Sequence, residues 1–418
     1  MKKIEGYDVK IFTDNIEKNA LAQIKELLSI DVFSDKKIRI MPDVHAGAGC
    51  VIGFTGNLGD KVIPNIVGVD IGCGMRILKL GKLSGIDYHA FHEHIRGNVP
   101  SGMIVREDRF GFKPLVGEEM EIYREAKQLV TEFYCYRELK DTARINKAIG
   151  SLGGGNHFIE LDKDDEGNVY LVIHTGSRNL GKQVADIYQA KAVKHLTDGA
   201  DEFEESIKRT IEEYKAAGRR SELQSVIKKM RKKHQDAEPR LPAALCYVEG
   251  EGREQYLHDM RLCQRWAVLN RKLISLLLMR FFPGVEVKEE FESVHNYISD
   301  DNIIRKGSIS AAEGERCIIP LNMRDGSLLC TGKGNPDWNC SAPHGAGRVL
   351  SRTQAYEKIT MEDFEASMKG IYSESVNDFT RDESPMVYKP AKEIIANIGD
   401  TVAIDTIIRP IFNFKASK

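Results

Sequence analysis

The residues best suited to chemistry in this chain are four histidines in short segments rich in Gly, Asn, Ser and Arg. They are His157 in GGGNHFIE, His174 in VIHTGSRNLG, His295 in ESVHNY and His344 in SAPHGAGR. A fifth segment, GVDIGCGM, adds Asp70 and Cys73. Carboxylate, thiolate and imidazole groups bind transition metals, and an imidazole beside glycine is an accessible nucleophile. Together these segments predict a metal-assisted enzyme in which a histidine acts as a covalent nucleophile.

The spacing in GVDIGCGM favours a shared role for Asp70 and Cys73. Its glycines allow a tight turn, so the carboxylate and the thiol can point to the same side. A thiol beside a dication loses its proton, and the resulting thiolate can bridge two metal ions. The alternative is a buried core cysteine and an aspartate in a turn, because free cysteine is commonly a core residue. Three histidines in similar surroundings favour the metal site.

The loop after His174 nearly matches a P-loop. It reads GSRNLGKQ, and Gln183 stands where a P-loop has the Ser or Thr hydroxyl that binds magnesium. This difference excludes a P-loop NTPase. The loop keeps Arg178 and Lys182, which suit phosphate binding in another manner. The glycines before Asn156 likewise offer backbone N–H groups to an anion.

The segment SAPHGAGRVLSR combines one histidine with two arginines. His344 stands between Pro343 and Gly345, and Arg348 and Arg352 follow at helical spacing. We therefore predict a helix that begins near Gly345, with its N-terminus and the guanidiniums facing an anion. Such a setting suits phosphoryl or nucleotidyl transfer through the imidazole. The alternative, a Gly-rich turn with surface arginines, leaves the local positive charge unexplained.

The elements that must position these residues predict an α+β fold. The predicted ligands run from Asp70 to His344, so one integrated domain over residues 1–418 is expected, with a β-sheet core that carries the metal site. A charged helical insert, at about 198–240, breaks at Gly218. The other predictions are a helix capped by Asn15, strands in 37–80, helices in 118–148, strands in 151–175, helices in 183–275, strands after Phe281, a helix at 361–377 and short strands in the last thirty residues.

Composition limits the class of protein. The chain has 418 residues and a net charge of −2, so binding to nucleic acid would need a local basic patch. The run KKMRKK at 228–233 is either such a patch or a solvated helix face. The eight cysteines form no CxxC pair, which predicts reduced thiols and a cytoplasmic protein. Neither a secretory signal nor an apolar run of the ~20 residues needed for a membrane helix is present.

Ordered motifs over most of the chain resemble the RtcB RNA ligases. They read PDVHAGAG, GVDIGCGM, GGGNHFIE, IHTGSRNLG, YLHDM followed by WAVLNR, and HGAGRVLSR, from about residue 37 to the C-terminus. The resemblance implies a Mn²⁺- and GTP-dependent ligase of α+β fold. Its RNA partners would carry a 3′-phosphate or 2′,3′-cyclic phosphate end and a 5′-hydroxyl end, as in RNA repair or tRNA splicing. Whether an activating protein such as archease takes part stays open, and no membrane partner is implied.

The resemblance also implies a role for each metal ligand. Cys73 would bridge two Mn²⁺ ions. One ion would also be held by Asp70 and His157, and the other by His174 and His295.

Further roles concern the nucleotide. His344 would attack the α-phosphorus of GTP and carry GMP as a phosphoramidate, with Asp43 orienting the imidazole. The remaining implied contacts are Asn156, Arg178 and Arg348 with phosphates or the nucleotide, and Glu160, Tyr388 and Lys415 in the guanine pocket.

Two departures from the family pattern leave substrate choice open. The segment PLNMRDGSLLCTGKGNPDWN stands where the family has a stretch like PGSMGT, and Ser327 would replace the usual serine. The C-terminal segment RPIFNFKASK also differs from the usual ending. Two other functions remain as alternatives. One is a dinuclear metal phosphodiesterase or phosphatase acting on RNA ends, and the other is an RNA-binding protein without activity.

Overall fold

The computed structural model describes residues 1–197, 200–235 and 241–416. In this part of the chain the helices are α1 Lys18–Leu28, α2 Pro64–Val67, α3 Tyr88–Asn98, α4 Glu118–Val130, α5 Thr142–Lys147, α6 Arg178–His195, α7 Ala200–Ala216, α8 Arg220–Gln235, α9 Gly250–Met279, α10 Arg352–Lys358, α11 Met361–Ser367 and α12 Ala391–Ile398. The strands are β1 Lys2–Lys3, β2 Val9–Ile11, β3 Ile38–His45, β4 Ile52–Asn57, β5 Lys61–Val62, β6 Gly74–Lys82, β7 Phe158–Lys163, β8 Asn168–Thr175, β9 Val248–Glu249, β10 Glu289–Val294, β11 Asn296–Ile298, β12 Ile303–Lys306, β13 Ser308–Ser310, β14 Arg316–Asn322, β15 Gly326–Gly332, β16 Ser341–Pro343 and β17 Val402–Lys415.

Two large sheets form the centre of the molecule, which confirms the α+β prediction. The first has the strand order β10-β6-β8-β7-β17-β15-β14, and every neighbouring pair in it is antiparallel. The second has the order β1-β2-β3-β4-β12-β11. Its β2 and β3 are parallel, whereas its other neighbours are antiparallel.

The register of the first sheet gathers segments that are far apart in the chain. Gly74 at the start of β6 pairs with Thr175 at the end of β8 and with Val294 at the end of β10. Phe158 at the start of β7 pairs with His174 on β8. Because antiparallel neighbours alternate in direction, these starts and ends lie at one end of the sheet. The four predicted metal-ligand segments therefore meet there.

Helix α9 forms the buried support behind this end of the sheet. It contacts β6, β8, α4 and α6, and its residues Trp266, Leu273 and Leu277 are fully buried. Its side chains also hold the loops that carry the predicted ligands. The Asn270 amide accepts from Gly150 N–H (2.8 Å) and Ser151 N–H (3.2 Å), and it donates to Ser151 O (3.1 Å) and Gly176 O (3.2 Å). The amide oxygen of Asn270 thus accepts two hydrogen bonds and its amide nitrogen donates two, which is all that these two atoms can make.

Several of the predicted helices and strands begin or end at residues other than those expected. Asn15 does not cap α1, because the helix begins after Glu17 and the Asn15 amide donates to Glu393 instead. The last thirty residues form α12 and one fourteen-residue strand rather than short strands. This strand, β17, stays continuous because a register shift between Pro410 and Phe412 accommodates the proline.

The predicted helix near Gly345 is also wrong. Residues 344–350 form a loop, and α10 begins only at Arg352, where Ser351 and Gln354 make a capping box. The predicted helix at 361–377 is shorter, since α11 ends at Ser367. The capping box of Ser351 and Gln354 thus sets the first residue of α10. Gly347, at φ +76°, keeps the preceding segment out of the helical conformation.

The helical hairpin is confirmed for its described residues. Helices α7 and α8 contact each other and are joined through Gly218, which adopts φ +73°. Lys228, Lys229, Arg231 and Lys232 are exposed on α8. The side chain of Lys233, and residues 198–199 and 236–240 of the predicted insert, lie outside the described part. Within that part, no helix is both long enough and apolar enough to cross a bilayer.

Asn270→Ala should destabilise the protein by at least about 2 kcal/mol, because it leaves buried peptide groups at Ser151 and Gly176 without partners. The shift is measured as a lower thermal unfolding midpoint. Asn15→Ala is the matched control: its amide is exposed, so a change within about 0.5 kcal/mol is expected. Equal midpoints for both variants would contradict the role given to Asn270.

Candidate metal centre and adjoining cavity

Five of the sequence-predicted residues form one cluster at the shared end of β6, β7, β8 and β10. Two overlapping groups of possible ligands meet there, Asp70–Cys73–His157 and Cys73–His174–His295, each with ligand atoms within 4.8 Å of one another. Cys73 belongs to both groups. The two groups of possible ligands therefore share one sulfur atom.

The separations between ligand atoms fit metal coordination. Cys73 Sγ lies 3.5 Å from His157 Nε2 and 3.4 Å from His174 Nε2. His174 Nε2 lies 3.4 Å from His295 Nε2, and His157 Nε2 lies 2.9 Å from Asp70 Oδ2. Bonds of about 2.0–2.3 Å to a central ion place neighbouring ligands at similar separations. One oxygen of Asp70, Oδ1, is buried without a hydrogen-bond partner in the described part of the chain, as expected of an atom that awaits a cation.

Backbone carbonyls orient two of the imidazoles. His157 Nδ1–H donates to Leu152 O (2.9 Å), and His174 Nδ1–H donates to Asn156 O (3.2 Å). With Nδ1 bonded in this way, Nε2 of each ring faces the Cys73 sulfur. Such outer hydrogen bonds determine the tautomer and ring orientation of histidine ligands.

The protonation of the cluster suits cation binding. Burial lowers the pKa of His174 and His295 well below the usual value, so both rings are neutral near pH 7. Burial, together with the Asp70 carboxylate, raises the pKa of the Cys73 thiol well above its usual value. A cation that binds here would displace the thiol proton, which couples metal binding to pH.

Arg271 is a residue that sequence reasoning missed. It lies on α9, is fully buried, and Nη1 donates to Gly72 O and Thr175 O, both at 2.9 Å. Nη2 donates to Glu292 Oε2 at 2.8 Å. These acceptors adjoin or precede the ligands on three separate segments, so one guanidinium ties those segments together. The sequence signal was only its place in the WAVLNR motif.

Two glycines allow the loops to approach closely. A Cβ on Gly176 would lie 2.2 Å from Asp70 Oδ1, and a Cβ on Gly153 would lie 1.7 Å from Arg178 Nη1. Arg178 itself adopts φ +59°, and its side chain donates to Ser151 Oγ (3.2 Å) and Gly102 O (2.8 Å). Left-handed backbone at an arginine is strained and is held here by its surroundings. The structure thus places Arg178 beside Asp70, not among the residues lining the cavity described below.

His344 and Asp43 form a hydrogen-bonded pair next to the cluster. His344 Nδ1–H donates to Asp43 Oδ2 at 2.7 Å, and Asp43 is fully buried. The His344 and His295 ring centroids lie 4.9 Å apart. Gly347 permits this packing, since a Cβ there would lie 2.2 Å from Asp43 O. The hydrogen bond to Asp43 occupies Nδ1, so a reaction at this imidazole would use Nε2.

A cavity of about 850 Å³ opens beside His344. Seven of the predicted residues line it, namely Asn156, Glu160, His174, His344, Arg348, Tyr388 and Lys415. His45 also lines it, although sequence reasoning gave it no role. His45 Nδ1–H donates to Asp43 O at 2.9 Å, and burial lowers the pKa of His45 to about 4. The only signal for His45 was its place in PDVHAGAG.

Glu383 organises one wall of this cavity and was also missed. Its carboxylate accepts from Tyr388 Oη (2.7 Å), Lys415 Nζ (3.3 Å) and Arg348 Nη1 (3.3 Å), and it lies 3.0 Å from Arg352. Burial alone would raise the pKa of Glu383, but these cations lower it to about 2. Glu383 opens the ESPMVYKP segment, so its only sequence signal was its proximity to Tyr388.

This network corrects the expected role of the two arginines. Arg348 and Arg352 do not stand free to receive an anion at a helix N-terminus. They bind the buried carboxylates Glu383 and Asp382, because a buried carboxylate needs a cationic partner. Both arginines still contribute to the cavity wall.

A further part of the cavity lining comes from the pairing of β7 with β17, the strand that also carries Lys415. Glu160 pairs with Asn413, and Phe158 pairs with Lys415. Asn413 Nδ2 donates to Glu160 Oε1 at 2.6 Å, and burial raises the pKa of Glu160 to about 7. Ser327 also lines the cavity, and its buried Oγ has no hydrogen-bond partner in the described part. The cavity therefore presents polar groups that lack a protein partner, as a polar ligand requires.

Comparison with known proteins agrees with this geometry. The family model described as tRNA-splicing ligase RtcB matches residues 23–416. The chain is similar to the RNA-splicing ligase RtcB of Escherichia coli K12, with 28% identity over 97% of each chain. It is also similar to the tRNA-splicing ligase RtcB of Aeropyrum pernix, with 26% identity over 89% of this chain and 86% of the relative. For the RNA-splicing ligase RtcB of Mycobacterium tuberculosis the identity is 26%, over 85% and 90%. With a family match over nearly its whole length, the chain belongs to the tRNA-splicing ligase RtcB family.

Proposed function

We propose that this chain is a GTP- and Mn²⁺-dependent RNA ligase that joins 3′-phosphate or 2′,3′-cyclic phosphate ends to 5′-hydroxyl ends, in RNA repair or tRNA splicing. One observation carries the proposal: the Asp43–His344 pair lies at a large cavity, and the His344 ring lies 4.9 Å from the ring of His295 in the metal-ligand cluster. Family membership and the names of the relatives support the reaction class.

The cluster would hold two Mn²⁺ ions. Asp70, Cys73 and His157 would bind one ion, and Cys73, His174 and His295 the other. The donor set, one thiolate, three imidazoles and one carboxylate, suits a borderline transition metal. When bound, the two cations would neutralise phosphate charge and stabilise attacking and leaving oxygens.

His344 would perform the first step. Its Nε2 attacks the α-phosphorus of GTP, a P–N bond forms, and the P–O bond to the β-phosphate breaks, so pyrophosphate leaves. The imidazole becomes positively charged in this step because Nδ1 keeps its proton. The buried Asp43 carboxylate, 2.7 Å from Nδ1, stabilises that charge and holds the ring in place.

GMP would then pass to the RNA. A 2′,3′-cyclic end would first be hydrolysed: water adds to its phosphorus, the bond to the 2′-oxygen breaks, and a 3′-phosphate and a 2′-hydroxyl result. An oxygen of the RNA 3′-phosphate then attacks the phosphorus of the His344 adduct, and the P–N bond breaks. The 5′-hydroxyl of the second RNA end next attacks the original 3′-phosphorus, loses its proton and displaces GMP. The final RNA thus gains one phosphodiester bond. Asn156 and Arg178 are proposed to contact phosphates during these steps.

The cavity walls would select the nucleobase. Glu160 accepts hydrogen bonds in its ionised form, which suits the N–H groups of guanine. On the wall organised by Glu383, Lys415 adds N–H donors that its contact with Glu383 leaves unused, whereas Tyr388, whose O–H donates to Glu383, adds its ring and its oxygen lone pairs. Because burial raises the pKa of Glu160 to about 7, base recognition through this carboxylate should weaken as the pH falls below neutral.

The proposal covers the whole chain as one RtcB-like domain, with α7 and α8 as an insert. It places the reaction in the cytoplasm, because the reduced state of Cys73 is needed for metal binding and all eight cysteines are free in the structure. RNA is the proposed partner, and archease is an activating protein to be tested. The alternative function, a phosphodiesterase or phosphatase, would use the metal ligands but would not need the Asp43–His344 pair as a nucleophile.

His344→Ala should abolish the protein–GMP adduct formed with α-labelled GTP and Mn²⁺, while two manganese ions still bind. The reason is that the variant removes the nucleophile but none of the metal ligands. An acid-labile label on the protein measures the adduct, and mass spectrometry of bound metal measures the ions. His195→Ala, an exposed histidine paired with Glu249, is the control and should label normally. Normal labelling of His344→Ala would overturn the proposed nucleophile.

Cys73→Ser should weaken both manganese sites by at least about tenfold, since a hydroxyl is a poor substitute for a bridging thiolate. Equilibrium dialysis against a series of Mn²⁺ concentrations gives the affinity of each site. Cys340→Ser is the matched control, because Cys340 lies outside the cluster and should leave both affinities unchanged. Two ions at wild-type affinity in Cys73→Ser would contradict the bridge.

The basic run on α8 is proposed to contact the RNA backbone outside the active site. Changing Lys228, Lys229, Arg231, Lys232 and Lys233 to Gln should weaken RNA binding and flatten its salt dependence. On single-stranded RNA, the log–log slope should fall by about 0.7 for each phosphate that the variant no longer neutralises. Labelling with GTP should not change, because that step needs no RNA. An unchanged affinity and salt slope would show that the run is only a solvated face.

A further inference from the structure

A second group of metal-binding side chains lies on α3, apart from the proposed manganese centre. His89, His92 and Glu93 are at positions i, i+3 and i+4 of this helix, so they share one face. Glu374 approaches from the other side. His92, Glu93 and Glu374 have ligand atoms within 4.8 Å of one another.

The two imidazoles converge on one carboxylate. His89 Nδ1 lies 3.1 Å from Glu374 Oε1, and His92 Nε2 lies 3.3 Å from Glu374 Oε2. A tetrahedral ion with bonds of about 2.0–2.1 Å places its ligands about 3.3 Å apart. His92, Glu93 and Glu374 are therefore already close enough to be ligands of one ion, and His89, which reaches Glu374 from the same helix face, would be a fourth ligand. Glu93 also contacts Arg96 at 3.2 Å, and Tyr372 Oη donates to Glu374 Oε1 at 2.7 Å.

His92 makes this more than a surface ion pair. Its side chain is only 8% exposed and packs on Phe414, with ring centroids 5.2 Å apart. Its Nδ1 is buried without a hydrogen-bond partner in the described part of the chain. Nε2 is the nitrogen that faces Glu374 and would be the ligand atom, and burial of the ring holds it in that direction. His89 and Glu374 are exposed, so an ion can enter from solvent.

We infer that His89, His92, Glu93 and Glu374 form a separate binding site for a divalent transition metal of the Zn²⁺ class. Two imidazoles with carboxylates are a donor set that Zn²⁺ accepts and that Mg²⁺ and Ca²⁺, which prefer oxygen ligands, do not favour. The site shares no residue with the Cys73 cluster.

An ion here would brace one wall of the nucleotide cavity. Residues 372–375 are hydrogen-bonded to the end of β17: Tyr372 O accepts from Asn413 N–H (2.9 Å), and Ser375 Oγ donates to Lys415 O (2.9 Å) and accepts from Lys415 N–H (2.8 Å). Glu374 lies inside this segment, so a metal bound by Glu374 and α3 would fasten the segment to the helix. The strand end that carries Lys415 would become less mobile as a result.

Zinc content tests the site. Wild type, the double variant His89→Asn/Glu374→Gln and the control His195→Asn/Glu249→Gln are each saturated with Zn²⁺, freed of excess metal and analysed by mass spectrometry. The control removes another His–Glu pair at 3.1 Å that has no third ligand in the described part. Because all four substituted residues are exposed, the variants should keep the fold. Wild type and control should hold one zinc ion more than the double variant, and equal zinc in all three would overturn the inference.

Repeating the measurement on a Cys73→Ser background separates this inference from the manganese proposal. The same difference of one ion should persist there, since Cys73 takes no part in the α3 site. In that background, Zn²⁺ should also slow amide hydrogen exchange in residues 88–93 and 372–375, and the double variant should remove the effect. Loss of the one-ion difference in that background would overturn the α3 site, whereas unchanged affinity at the main cluster would count only against the bridging thiolate.

Discussion

The register of four antiparallel strands is the constraint on which the rest of this structure depends. Strands β7, β8, β6 and β10 start or end together, and each delivers one segment of the metal-ligand cluster. A slip of one residue in any pair would move a ligand such as His174 to the opposite face of the sheet. The register is reinforced from behind by Arg271, whose guanidinium binds three of the segments. Removing one partner from such a buried set costs about 3–5 kcal/mol.

Burial and charge are distributed differently at the two ends of the site. At the cluster, burial keeps His174 and His295 neutral and the Cys73 thiol protonated, so none of these three side chains carries a positive charge. At the wall organised by Glu383, three cations keep this buried carboxylate ionised. The first arrangement favours cations, and the second provides a rigid, fully paired set of donors and acceptors. The proposed substrate, a nucleoside triphosphate, would use both, because its phosphates and its base require different surroundings.

Close approach of backbone to side chain is the other condition for the site. Gly176 and Gly153 occupy positions where a Cβ would collide with Asp70 and Arg178. Arg178 takes a strained left-handed conformation in the same place. This concentration of glycine and strain around two charged side chains indicates that their positions matter more than local stability. The glycine-rich motifs in the sequence are thus explained by packing against the ligands as well as by turns.

The sequence by itself determined the types of residue in the cluster, the integrated α+β architecture and the helical hairpin broken at Gly218. These follow from side-chain chemistry and from hydrophobic periodicity, which are local properties. It did not determine the roles of Glu383, Arg271, His45 or the His89–Glu374 group, nor the true start of α10. Each depends on partners distant in the chain: Glu383 is recognisable only beside Lys415 and Arg348, and Arg271 only beside Gly72 and Thr175. Burial and pairing across the sheets decide whether a charged residue is a solvated surface group or a structural ion, and only the tertiary structure brings those partners together.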